Sequence, residues 1–109
     1  MTREATYLVR IPGAIDFSAV GVNEPTGSVA RRLGDKIYAS PPRRRGRGYE
    51  SVVDLTADEI GVLRDEAECR REVNLPAAQN PYGNETPDHS ERRAAEALIG
   101  RLTAFEQAR

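Results

Sequence analysis

Apolar and polar positions follow two different periods along this chain. From Ala5 to Ile11 they alternate, with Ala5, Tyr7, Val9 and Ile11 on one side and Thr6, Leu8 and Arg10 on the other. That period of two predicts a half-buried strand. Pro12-Gly13 ends it, because proline lacks the ladder donor and glycine permits a turn. A weaker alternation over Ala14–Val22 predicts a second strand, with Ile15, Phe17, Ala19 and Gly21 on one face. Asn23 to Gly27 has the composition of a loop. Ser28 to Leu33 reads as one helical turn, capped by Ser28 and stopped by Gly34. Lys36–Ser40 reads as a short strand, Pro41–Gly48 as a loop and Tyr49–Leu55 as a strand with Tyr49, Ser51, Val53 and Leu55 on one side.

Beyond residue 55 the period lengthens. Thr56-Ala57-Asp58-Glu59 is a capping box, in which the Thr56 hydroxyl accepts from the Glu59 amide and the Glu59 carboxylate reaches back. It opens a helix over 57–73, with Ile60, Leu63 and Ala67 in one stripe and Val62, Cys69 and Val73 beside it. Glu66 and Arg70 stand four apart, the spacing of a surface ion pair. Residues 74–85 form a linker rich in Pro, Asn and Gly. A second helix is predicted over 87–107, with Thr86 as cap and Pro87 in its first turn. Its apolar face is Ala95, Leu98, Ile99, Leu102 and Phe105.

Strands followed by helices predict an α+β fold: an antiparallel sheet of three to four short strands within residues 5–55, covered by the two C-terminal helices. The linker is read as a crossing that takes the last helix to the far side of the sheet. Neither a repeat nor a sustained heptad is present.

Composition then narrows the classes. The chain has 109 residues, one domain's worth, 39% hydrophobic and 30% charged. With no Trp and only six Tyr and Phe, the core must be mainly aliphatic. Net charge is −1, but residues 1–55 carry +3 and residues 56–109 carry −4. Such a split fits a partner-binding face, and equally a chain whose strands and loops hold the arginines while its helices hold the glutamates. One cysteine, Cys69, forbids an internal disulfide, and the sequence shows no export or membrane segment. The expected compartment is the cytoplasm. Fifteen of the sixteen basic residues are Arg, as in high-GC coding sequences such as those of actinobacteria or their phages.

Chemistry-bearing residues are few. His89 is the single histidine and sits at the start of a helix. Cys69 reads as a small core residue. The chain lacks a phosphate-binding Gly-rich loop and a dinucleotide fingerprint, and no His/Cys set has zinc spacing. The expectation is therefore a non-enzyme with no cofactor and no metal.

The segment Tyr38 to Tyr49 stands apart, because Arg43, Arg44, Arg45 and Arg47 fall within five residues between two tyrosines. Guanidinium forks match phosphate oxygens, and Tyr38 and Tyr49 can stack on bases, so this loop can contact nucleic acid. It can equally pair with an acidic protein surface or keep a strand edge soluble. Tyr82, the one aromatic in the linker, is a further candidate anchor. The leading expectation is a small protein-interaction module, an accessory, regulatory or assembly factor that binds another protein or itself through the last helix. The alternative is a nucleic-acid-binding accessory protein using residues 43–47. The sequence pI of about 5.9 counts against the second.

Overall fold

A computed structural model describes residues 5–80 and 86–107. It is an α+β fold with a three-stranded antiparallel sheet and three helices. The strands are β1 (Thr6–Pro12), β2 (Arg43–Arg45) and β3 (Gly48–Thr56), in the spatial order β1-β3-β2. The helices are α1 (Val29–Tyr38), α2 (Ala57–Val73) and α3 (His89–Gln107), with a 3-10 turn at Ala77–Gln79.

The register shows why the strands form where they do. Tyr7 lies opposite Leu55, Val9 opposite Val53 and Ile11 opposite Ser51. These residues turn to the helices, and all but the half-buried Tyr7 are buried. Leu8, Arg10, Val52 and Asp54 alternate with them and face solvent. Leu33 from α1, Ile60, Leu63 and Ala67 from α2, and Ala95, Leu98 and Leu102 from α3 complete one core. The Phe105 ring meets Tyr7 edge to face, with centroids 4.6 Å apart.

Helix α2 starts at the capping box. Glu59 N–H donates to the Thr56 hydroxyl at 3.2 Å, and the Glu59 carboxylate accepts from Thr56 N–H at 2.8 Å. That carboxylate is fully buried and also takes the Lys36 ammonium at 2.6 Å. Lys36 in turn donates to the Asp54 carbonyl at 2.9 Å, which ties α1 to β3 and to the head of α2. Burial pushes the Glu59 carboxyl up, but the hydrogen bonds from Lys36 and Thr56 prevail and hold it below its ordinary value.

Several expectations are corrected. Residues 14–22 are not a strand but a succession of turns. Ile15, Phe17 and Val20 are still buried, inserted from a loop. Helix α1 does not stop at Gly34 but runs through it to Tyr38, so 36–38 is helical and 39–40 is not a strand. Gly34 is there for proximity: a Cβ on it would lie 2.2 Å from the Val20 carbonyl oxygen, and one on Gly21 (φ +74°) would lie 2.4 Å from that of Ala30. The two glycines let the 14–22 loop lie against the helix backbone. The Arg-rich stretch is itself a strand and its turn.

Helix α3 begins at His89 rather than at 87. Asp88 caps it in place of Thr86, its carboxylate accepting from Glu91 N–H at 3.0 Å. It lies beside α2 on the same face of the sheet, over β1, rather than on the far side. Cys69 is exposed rather than in the core. Arg70 pairs with Glu91, not with Glu66. Among the described residues no helix is long and apolar enough to cross a membrane.

Candidate binding surface

The arginines sit on a β-hairpin. Arg43 pairs with Glu50, Arg44 with Tyr49 and Arg45 with Gly48, leaving Gly46-Arg47 as a two-residue turn. Gly46 has φ +61° and Arg47 does not share a positive φ. This is the backbone of a type II′ turn, which favours glycine at its first central position and matches strand twist. Pro41 and Pro42 precede the hairpin, fixing φ there and removing two backbone donors.

Arg43, Arg44, Arg45 and Arg47 are all exposed, and none makes a side-chain hydrogen bond or ion pair with another described residue. Alternation puts Arg43 and Arg45 on one face of the hairpin and Arg44 on the other with Tyr49. The side chain directly across from Arg43 is Glu50, one of whose carboxylate oxygens, Oε2, is buried without a hydrogen-bond partner.

The predicted tyrosines frame the base of the hairpin. Tyr38, at the last residue of α1, is 91% exposed, and Tyr49 is 59% exposed. Two depressions meet at Pro42. One, of about 260 Å³, is apolar and is lined by Ile11, Ile15, Phe17, Val20, Ile37 and Tyr38, among others. The second holds Tyr49, Arg45, Glu50 and Arg101. The structure thus brings Tyr38, Arg45 and Tyr49 around one proline. Tyr82 lies outside the described residues.

Sequence reasoning missed a polar cluster on the helical side. Glu91 is buried at the start of α3. Its Oε1 accepts from the Arg70 guanidinium at 2.6 and 3.2 Å and from the Asn74 amide at 2.5 Å. Its Oε2 accepts from Asp16 N–H at 2.6 Å. The Asn74 side-chain oxygen accepts from Asp88 N–H at 2.8 Å. Four segments meet here: the 14–22 loop, the end of α2, the end of the linker and the head of α3. The hydrogen bond to Glu91 raises the Arg70 pKa against the opposing effect of burial, so the guanidinium stays charged. Asp16 accepts from the Ser18 hydroxyl at 2.6 Å and from Ser18 N–H at 3.0 Å. These bonds hold its carboxyl below the ordinary value; slight burial opposes them and Arg70 assists. Both Glu91 oxygens and the Asn74 amide are engaged within the chain, which makes the cluster an organiser of the fold. The only sequence signal for it was Glu91 at the third position after Asp88, the spacing of a cap.

Among the described residues no group of three or more His, Cys, Asp or Glu could hold a metal ion. His89 is exposed at the head of α3. The chain matches no protein-family model, no curated protein and no solved structure at a significant level.

Proposed function

We propose that this protein is a non-catalytic interaction module whose contact element is the 43–49 hairpin, and that its ligand is an acidic surface of another protein. The observation that carries this reading is the junction at Pro42. Tyr38 rims the apolar cleft on one side of Pro42, and Arg45, one of four arginines unengaged by any described residue, lines the depression on the other with Tyr49. Charged residues at a rim and an apolar centre are the layout of a protein interface. Arginine and tyrosine are the residue types that dominate its energetics.

Nucleic acid is the second reading, favoured by the exposure of both Tyr38 and Tyr49 on either side of the arginines, where bases can stack. Titrating the protein with labelled single- and double-stranded 20-mers and with a labelled Asp/Glu-rich peptide carrying one Leu separates the two. For the peptide, affinity is expected to fall less than about ten-fold between 50 and 200 mM salt, to weaken when Leu is replaced by Ala, and to vanish with Ala at Arg43, Arg44, Arg45 and Arg47. Oligonucleotide binding that needs the same arginines, and falls roughly fifty-fold for single strands or a hundred-and-fifty-fold for double strands over that range, as about four phosphate contacts require, replaces the first reading by the second. Turnover that depends on His89 or Cys69 overturns both.

A further inference from the structure

β1 is an edge strand of the sheet. Gly13 N–H donates to the Tyr49 carbonyl at 2.7 Å, continuing the β1/β3 register by one residue. In an antiparallel pair, residues that exchange both bonds alternate with residues that exchange none. Tyr7, Val9 and Ile11 therefore spend their backbone groups on β3, while Thr6, Leu8 and Arg10 turn theirs out of the sheet. Pro12 has no N–H to offer. At this edge the Arg10 carbonyl accepts from Arg101 of α3 at 3.3 Å. The Leu8 side chain is 72% exposed.

Beside this edge runs a groove of about 320 Å³ between β1 and α3, lined by Leu8, Val9, Arg10, Arg101, Leu102 and Phe105. Four of these residues are apolar, two are cationic and none is acidic. Among the described residues the Leu8 N–H and carbonyl and the Arg10 N–H have no hydrogen-bond partner, and open backbone groups next to a half-apolar groove are the elements of strand addition. In that mode main-chain bonds give affinity and alternate side chains give specificity.

We infer that the outer edge of β1 and the facing side of α3 form a binding site, separate from the Arg hairpin, for an extended acidic segment of a partner protein. The segment adds a fourth strand through the Leu8 and Arg10 backbone. One of its apolar side chains enters between Leu102 and Phe105, and a carboxylate meets Arg101, whose guanidinium has five donors and uses one on Arg10. Charge selects this occupant over a second copy of the chain. The only charged residue of β1 is Arg10, so self-pairing would bring two arginine-bearing edges together.

A labelled ten-residue peptide of alternating Asp and Val is the probe, used with the full chain and amide NMR. Binding is expected to shift the Leu8 and Arg10 amides. It should weaken ten-fold or more in Arg101→Glu, an exposed change whose fold is checked by circular dichroism. It should also be lost when the peptide carries a central Pro, which cannot add to a ladder. Retention of binding in Arg101→Glu, or no binding up to 1 mM peptide, overturns the inference. So does loss of binding in the hairpin variant with Ala at 43, 44, 45 and 47 while Arg101→Glu binds normally, because the peptide then sits on the hairpin. Growth in mass of the free protein with concentration, abolished by Arg101→Glu, overturns it in favour of self-association. The hairpin reading fails separately, on its own four arginines.

Discussion

Arg70 and the arginines of the hairpin are the same residue in opposite circumstances. Arg70 is bonded to a buried carboxylate and belongs to a cluster in which each polar group is answered from within the chain. Arg43, Arg44, Arg45 and Arg47 are answered by no described residue. Arg70 of α2 ties the last helix to the rest of the fold, whereas the run of arginines has no bond to any described residue. What marks the structural ion pair is its place beside the apolar stripe of α2 rather than isolation in the sequence, since Arg71 follows Arg70 directly. A buried charge is tolerated only where fixed partners surround it, and a run of like charges cannot supply them.

The largest expected effect breaks the buried side of this comparison. Glu91→Ala strands Arg70, the Asn74 amide and the Asp16 N–H together. It should cost about 3–5 kcal/mol, as removal of one partner of a buried pair does. A thermal melt followed by circular dichroism should show a fall in Tm of more than about 12 °C. A shift of only a few degrees would mean that water replaces the carboxylate and that the cluster is not what joins the segments.

Acid acts on the same side, less strongly. The Glu59 and Asp16 carboxyls both sit below their ordinary values in the folded chain. Their contribution to stability is therefore complete above the unfolded-state values of about 4, and is lost as pH falls through the lower folded-state values. Melting temperature should stay flat from pH 7 to about 5 on their account and drop below about pH 4. Lys36→Met, which removes the strongest hydrogen bond to Glu59, should lower Tm at pH 7 and flatten that acid limb. An unchanged limb in this variant would place the acid sensitivity elsewhere.

The smallest expected effect lies on the exposed side. Replacing all four hairpin arginines with Ala should change stability by no more than about 0.5 kcal/mol per site, the usual range for surface positions without partners. A large loss of stability in a denaturant titration would show that the hairpin arginines have structural partners after all, and the contrast with Arg70 would collapse.

What the sequence made legible follows from how local each cause is. The capping box at Thr56, the full extent of α2 and the strands around Val9 and Val53 rest on neighbours a few residues apart, and they were predicted with little error. The Arg segment was singled out as a hairpin loop, but its first three arginines were not read as a strand, because arginine has no marked preference for strands and only the turn at Gly46 betrays one. The failures depended on distant partners. Ile15 and Phe17 alternate like a strand, but no neighbouring strand is placed to receive them, and they enter the core from turns instead. Gly34 has the appearance of a stop signal, yet it persists inside α1 because the 14–22 loop needs the space its missing side chain leaves. Glu91 reads as an ordinary acid of a helix start, since its partners lie 17 to 75 residues away.

That last separation governs the order of assembly. The Asp16–Glu91 bond closes a ring of most of the chain, and ring closure costs entropy that grows with the logarithm of its length. Such a bond cannot nucleate folding. It forms once the sheet and the helical pair have already brought residues 16 and 91 together, and it then locks a turn-rich loop that has no ladder of its own. A ribosome releasing this chain would meet the same constraint, because the loop near the start of the chain cannot settle until the start of the last helix has left the exit tunnel.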